Sequence, residues 1–350
     1  MTDNQIDNQP SALPSISPGA TAHAAGASGP RSGPAYLAFE AARRYATVGL
    51  LIILIVVFGF TAPDFLTTAN FQDLLISQTV GACVAFAALL PLIIGDFDLS
   101  LGYGVGFLAM VGEYVAEHGA NAIEITLLML AGGIIVGLIN GLLVVQLRIG
   151  AFVATLATGI IMSSLTEGIS GGQILFGGVP NVLIDLGRNQ FLGLGISVWI
   201  VLLLALIMMW VLEHVPVGRR WYAIGGSERV AFLAGVPTRR LRIMAFVVAG
   251  LLVAIGSIFQ LGIRASADPT FGPELLLPAY AVVFLGVTTH RPGYYNVVGT
   301  VVAIVVLAVG FNGLSLLGVP FWVEPLFDGI VLLVAVLAAR AEARQVRVGV

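Results

Sequence analysis

Lysine is absent from this chain of 350 residues; all 16 basic residues are arginine. A phosphate-binding P-loop uses a lysine to reach the terminal phosphates, so the chain cannot hydrolyse ATP through that motif. Cysteine is nearly as scarce. Cys83 stands alone in an apolar run, which excludes an internal disulfide and predicts a buried, inert thiol. His23, His118, His214 and His290 are scattered, with no HExxH and no His/Cys cluster, so no metal site is expected. Charge is sparse: 10% of residues are charged, against about a quarter in soluble domains. The net charge of -3 is too small to point to nucleic acid as a partner. No apolar segment carries an arginine ladder, which removes a voltage sensor, and no TVGYG-like filter appears. No cofactor is expected in this chain.

What the chain has is apolar length. Hydrophobic residues make up 58% of it, and the mean hydropathy is +1.00. Residues 1–42 differ in kind, being rich in Ser, Pro, Gly, Ala and Asn, and are expected to be a disordered cytoplasmic tail. They lack a basic stretch followed by an apolar core, so no secretory signal is read there. A helix needs roughly 20 apolar residues to cross the hydrocarbon. Runs of that order recur at 46–62, 74–94, 101–116, 122–146, 152–170, 192–212, 243–263, 276–290, 294–317 and 323–340. The pattern predicts an all-α, polytopic membrane protein of about ten transmembrane helices: a membrane-spanning domain over 43–341 and a short cytoplasmic tail over 342–350.

The arginines test that count. With the N-terminus in the cytoplasm and ten spans, Arg31, Arg43, Arg44, Arg148, Arg219, Arg220, Arg229, Arg239, Arg240, Arg242, Arg291, Arg340, Arg344 and Arg347 fall inside, and Arg188 and Arg264 outside. A split of 14 to 2 is what the positive-inside rule asks for. An odd number of spans would move the last three arginines to the wrong side. Both termini are therefore expected in the cytoplasm.

The longest polar interruption, residues 214–242, falls on the cytoplasmic side. Ser227 can cap a helix whose first turn holds Glu228, and Gly235 suits the position just past its end. That predicts one short helix lying across the cytoplasmic face. A basic loop that merely fixes topology is the alternative. The stretch Pro216-Val217-Gly218-Arg219-Arg220-Trp221-Tyr222-Ala223-Ile224-Gly225-Gly226-Ser227-Glu228 resembles the cytoplasmic coupling loop of ribose/xylose/arabinose-type ABC transporter permeases. The resemblance runs on through Ala231, Leu233, Ala234 and Gly235. It implies that Gly218, Arg219, Arg220, Tyr222, Ala223, Gly225, Gly226, Glu228, Ala231 and Gly235 belong to a loop that rests on an ATPase subunit. Ser227 replaces the family's usual Asn.

Three further stretches resemble the same family. Gly95-Asp96-Phe97-Asp98-Leu99-Ser100-Leu101-Gly102 stands where the family has GGIDLSVG, with Asp96 in the place of a glycine. A glycine flanked by acids between apolar runs interrupts a helix, and such backbone at membrane depth must be buried in protein or line a wet cavity. Asp98 is read either as a cap for the next helix or as part of the pathway. Gly133, Gly137 and Gly141 form one small-residue helix face for close packing, with Asn140 beside it. Arg148 to Leu156 resembles the family's iP-FiaTLg, with Gly150 replacing the proline. Phe284-Leu285-Gly286, Pro292-Gly293, Gly299-Thr300 and Asn312-Gly313-Leu314 match in part. Residues 133–152 and 299–321 also suggest a weak inverted repeat.

The resemblance, which covers roughly 45–340, implies a permease subunit of an ATP-driven importer for a small polar solute, a monosaccharide by default. This chain would then be no enzyme, with ATP hydrolysis in a partner subunit. The implied partners are an ABC ATPase subunit, a periplasmic solute-binding protein, a second permease copy in a homodimer, and the lipid bilayer. Polarity at membrane depth nominates Asp98, Ser100, Asn140, Thr155 and Asn312 for the translocation path. Two alternatives stand: an ABC permease for nucleosides or other non-sugar solutes, and a secondary transporter run on an ion gradient through Asp98, Asp328 (four residues after Glu324) and Glu167.

Overall fold

The structure, a computed structural model, describes residues 46–348. The tail expected over 1–42 and the last two residues of the expected C-terminal tail lie outside them. The described residues are almost wholly helical: α1 (Ala46–Thr61), α2 (Thr68–Ile94), α3 (Leu101–Glu117), α4 (Ala122–Gly141), α5 (Ala151–Ser170), α6 (Asn181–Arg188), α7 (Ile196–His214), α8 (Pro216–Gly226), α9 (Glu228–Leu233), α10 (Thr238–Arg264), α11 (Leu276–Gly286), α12 (Val297–Leu316) and α13 (Val323–Val348). A π-helical turn, Leu142–Gln146, prolongs α4. Four two-residue strands form two small antiparallel pairs: β1 (Leu175–Phe176) with β4 (Ser266–Ala267), and β2 (Gln190–Phe191) with β3 (Leu194–Gly195).

Local chemistry sets the helix ends. Thr67 caps α2 through the Asn70 amide, and Gly95, at φ 90°, ends it in the left-handed conformation that glycine adopts freely. Asn121 and Glu124 form a reciprocal capping box at the start of α4. Asn296 caps α12: its Oδ1 accepts from Gly299 N at 2.7 Å, while its amide nitrogen donates to the carbonyls of Gly286, Thr289 and Tyr294.

Every apolar run predicted to span falls on a helix, but the helices are unequal. Among the described residues, six helices are long and apolar enough to cross a membrane: Thr68–Ile94, Ala122–Gln146, Ala151–Ser170, Ile196–His214, Thr238–Arg264 and Val297–Leu316. That is fewer than the ten expected. The helices at 46–61, 101–117 and 276–286 have only 16, 17 and 11 residues. For α11 the reason is local. The chain before it, 268–275, is irregular apart from one 3-10 turn at Pro273–Leu275 and lies along α3, where a Cβ on Gly106 would run into the carbonyl of Phe271 and one on Gly102 into that of Gly272. Glycine on α3 thus makes room for irregular backbone in place of a further turn of helix.

Helices α2 and α10 form the centre. The most apolar windows of α2 and α10 are 78% and 61% buried, against 28% for α5 and 33% for α7, whose apolar side chains face outward as a bilayer permits. From Ala82 to Ile94 every residue of α2 is buried, the lone Cys83 included. The predicted glycine face of α4 packs against α10: a Cβ on Gly133 would collide with the Gly250 carbonyl, and one on Gly137 with that of Phe246. Backbones in such contact gain dispersion that no side chain could supply at that distance.

Candidate functional site

The loop 214–242 contains two short helices, α8 and α9, where one was predicted. The sequence places Pro216 at the first helical position of α8, which therefore starts immediately after α7. Gly218 lets α8 fold back, because a Cβ there would meet the backbone of Val211 and Leu212. Trp221 is buried and its Nε1 donates to the Leu241 carbonyl at 2.9 Å. Tyr222 donates its hydroxyl to the Tyr295 carbonyl at 2.6 Å; burial pushes that hydroxyl's pKa up to about 12, with Arg291 working against the rise. Gly225 brings the end of α8 onto the Ile93 carbonyl at the end of α2. Ser227 caps α9, with Oγ accepting from Val230 N at 3.4 Å, and Gly235 turns the chain at φ 81°, both as the sequence predicts.

The faces of α8 and α9 differ. Ala231 is buried beneath α9, whereas Arg219, Arg220, Ala223 and Gly226 are exposed. So are three apolar side chains that sequence reasoning did not nominate together: Val230 (64% exposed), Phe232 (64%) and Leu233 (76%). Their spacing on a six-residue helix is too short to read as a periodic pattern.

Glu228 turns inward. Both its oxygens accept from Arg242 Nη1, at 3.0 and 2.9 Å. Arg242, in the first turn of α10, presents Nε and Nη2 to Asp96, with three contacts of 2.9–3.1 Å. One planar guanidinium thus joins two carboxylates from two distant parts of the chain. Burial raises the Asp96 carboxyl above its ordinary value, and the adjacent Arg242 opposes that rise. Beside the triad lies a concavity of about 700 Å³, lined also by Arg148, Arg229, Phe232 and Arg239. Arg148 holds a left-handed φ of 57° just beyond the π-helical turn.

Two residues past Asp96 the chain enters a buried polar network. Asp98 Oδ1 accepts from Ser100 N at 3.0 Å and from Ser100 Oγ at 2.5 Å. Asn140 of α4 donates to Ser100 Oγ, and Thr158 of α5 donates to Asn140 Oδ1, each at 2.7 Å. Leu99 N donates to Thr155 Oγ1 at 2.9 Å. Tyr280 of α11 serves both backbone groups of Asp98, accepting from N at 3.0 Å and donating to O at 2.9 Å. Four nominated path residues, Asp98, Ser100, Asn140 and Thr155, therefore sit together, and all are buried. Asn312 does not join them. It pairs with Asn70 through two amide hydrogen bonds of 2.8 Å. Sequence reasoning missed Tyr280, Thr158 and Arg242, because each contributes through a partner far away in the chain. Beside the network an aromatic row, Phe97–Tyr280–Phe284–Tyr295, has centroids 5.7–6.4 Å apart and lines a groove of about 570 Å³.

The other acids named for an ion-driven mechanism lie apart from this network. Glu167 and Glu324 are exposed, and Asp328 is half-buried with Oδ1 lacking a hydrogen-bond partner among the described residues. Among the described residues no three His, Cys, Asp or Glu side chains gather to hold a metal.

Known proteins are similar in sequence to most of this chain. The ribose import permease protein RbsC of Bacillus subtilis (strain 168) is 34% identical over 295 residues, 83% of this chain and 90% of that protein. The ribose import permease protein RbsC of Escherichia coli (strain K12) is 30% identical over 291 residues, 82% of this chain and 90% of its own length. The autoinducer 2 import system permease protein LsrD of Photorhabdus laumondii subsp. laumondii is 31% identical over 304 residues, 84% and 90%. No solved structure matches the chain. The six long apolar helices and these similarities make it a multi-pass membrane protein. A family model described as branched-chain amino acid transport system / permease component matches residues 70–336, and the chain belongs to that family of permease components.

Proposed function

We propose that this chain is the membrane-spanning subunit of an ABC importer that carries a monosaccharide delivered by a periplasmic binding protein, with ATP hydrolysed by a partner subunit. The observation that carries the proposal is α9. Its inner side is anchored through Ala231, Ser227 and Glu228, while Val230, Phe232 and Leu233 stand exposed in a setting otherwise rich in arginine. Exposed apolar side chains clustered on a fixed short helix mark a protein-binding surface. An ATPase groove is the occupant that the permease family supplies. The sugar assignment is supported by the ribose relatives, and the autoinducer 2 relative keeps a small polar solute of another kind as the second reading.

The same proposal includes ten crossings, with both termini in the cytoplasm of the inner membrane, two such chains per transporter and a weak inverted repeat. The arginine split supports the crossings, as do the contacts between connections. Segments expected inside meet one another: 95–100 with Arg242 and Glu213 with Arg291 at 3.6 Å. Segments expected outside do likewise, through β1 with β4 and Gln190 with Gln72 at 3.2 Å.

The test replaces Phe232 and Leu233 by Asp together. The variant is expected to insert normally, to lose its ATPase on purification, and to take up no ribose. Undiminished uptake would refute the proposal. Uptake by the unmodified chain that stops when the ion gradient is collapsed with ATP intact would favour the secondary-transporter alternative. For the crossings, single cysteines at Gly119 and His290, placed in a Cys83→Ala background, should label from outside and only after permeabilisation, respectively.

A further inference from the structure

We propose that Arg242 is a positioning residue that transmits movement of α9 to the interrupted segment 95–100, and that Phe97 is the side chain which that movement displaces. This rests on the importer reading above. Three features carry it.

The first is that the guanidinium is fully committed. Nη1 serves Glu228 on α9, and Nε with Nη2 serves Asp96, so no nitrogen of Arg242 is left to hold it elsewhere. A planar fork fixes the two carboxylates in one geometry, which a flexible point charge would not do.

The second is that the segment is held at both ends and not in its middle. At its start, Gly95 N and Asp96 N close onto the carbonyls of Leu92 and Pro91 at 3.2 and 2.9 Å. At its far end, Asp98 to Ser100 are bonded to α4, α5 and α11. Between them Phe97 is 41% exposed and touches the aromatic row lining the groove of about 570 Å³. A pull on Asp96 cannot lengthen the chain; it must rotate Phe97.

The third is burial. The Arg242 and Asp96 side chains are only 17% and 12% exposed, whereas Glu228 is 47% exposed. The inner arm is shielded from salt and stays closed, and the outer arm is the one a docked partner can move.

The test uses the complex of the chain with its ATPase in proteoliposomes, with Cys83→Ala and Phe97→Cys as the reporter. The readout is the maleimide labelling rate of the cysteine with and without ATP. A ratio taken within one preparation is not altered by the amount of complex that assembles, so a merely structural role for Arg242 would not change it. With Arg242 intact, ATP is expected to change the rate by about fivefold or more, the lower end of ordinary coupling between sites. Arg242→Gln should reduce the ratio to within about twofold of unity. Because that variant strands Asp96, Glu228→Ala is the second arm: it removes only the exposed contact and leaves the Asp96 fork in place. It should lose the ATP response equally, and Glu228→Asp should recover part of it. If Arg242→Gln and Glu228→Ala both respond to ATP like the parent, or if the parent shows no response with its ATPase bound, Arg242 does not transmit movement. If no ATPase co-purifies with the unmodified chain, the importer reading itself fails, a result that cannot be confused with the other two.

Discussion

Replacing Tyr280 by Phe removes one oxygen atom and tests the network around Asp98 directly. That hydroxyl is the partner of both Asp98 N and Asp98 O, at 3.0 and 2.9 Å, and Asp98 is 1% exposed. The aromatic ring would stay, together with its neighbours Phe97 at 5.7 Å and Phe284 at 6.4 Å. No large cavity forms, so the loss is almost wholly polar. A buried donor or acceptor left without a partner costs about 1–3 kcal/mol, so two such groups should cost about 2–6 kcal/mol. Reversible unfolding in mixed detergent micelles, followed by tryptophan fluorescence, would measure it. Tyr295→Phe is the control, since its hydroxyl makes no hydrogen bond among the described residues while its ring occupies the same aromatic row. The reasoning is refuted if Tyr280→Phe loses less than about 0.5 kcal/mol, the range of ordinary surface substitutions, or no more than the control.

Other substitutions probe other parts of the argument. Gly137→Leu places a Cβ against the backbone of α10, with Val247 Cα only 2.8 Å away, so the two helices must separate; a loss of about 1–3 kcal/mol or a failure to purify as a single species is expected. Asn312→Ala should cost about 0.5–2 kcal/mol, and adding Asn70→Ala should cost less than its single effect, because the two amides bond each other, with only the Asn70 bond to the Phe65 carbonyl lost in addition. A changed KM for uptake in Asn312→Ala, with unchanged stability, would instead assign Asn312 to the path. Glu228→Arg sets a second cation against Arg242 and should abolish uptake while membrane insertion persists; full uptake would remove the coupling role from this loop.

Much of this fold can be read from composition because lipid is a simple solvent: apolar length, glycine spacing and arginine placement each carry one message. The α9 cap at Ser227 and the left-handed turn at Gly235 are equally legible, since both are decided by residues within one turn of helix. The polar network was half legible. Asp98, Ser100, Asn140 and Thr155 stand out as polar residues in apolar surroundings, yet nothing in their spacing announces that they meet. Their common partner, Tyr280, reads as one more aromatic residue of an apolar run. Arg242 was hidden for a related reason. Among sixteen arginines that satisfy a topology rule by their number, the one bonded to two carboxylates looks like the rest. Asp96 shows the gain from geometry: as a sequence feature it was an unexplained departure from glycine, and in the structure it is one jaw of the Arg242 clamp.

The count of long helices fell short of the count of apolar runs partly because α11 has only 11 residues, and residues 268–275, which lie outside the predicted runs, do not extend it as α-helix. They satisfy their polar groups locally, with Asp268 Oδ1 accepting from Thr270 N and Oγ1 at 2.8 Å each and Gly272 O accepting from Leu275 N at 2.9 Å. They lie along α3, and the fit depends on hydrogen atoms where side chains would otherwise be, at Gly102 and Gly106. This yields a prediction with an internal control. In an exposed helix interior Gly→Ala stabilises by about 1 kcal/mol. Gly81, in mid-α2, has nothing within 4 Å of an added Cβ, so Gly81→Ala should be neutral or stabilising. Gly106→Ala drives the same methyl group into the Phe271 carbonyl, with the carbonyl carbon 3.2 Å away, and the obstacle is backbone that cannot rotate aside. It should destabilise by about 1–3 kcal/mol and shorten the lifetime of the purified protein in detergent. Equal stability of the two variants would mean that 268–275 is not held against α3, and that α11 is short for some other reason.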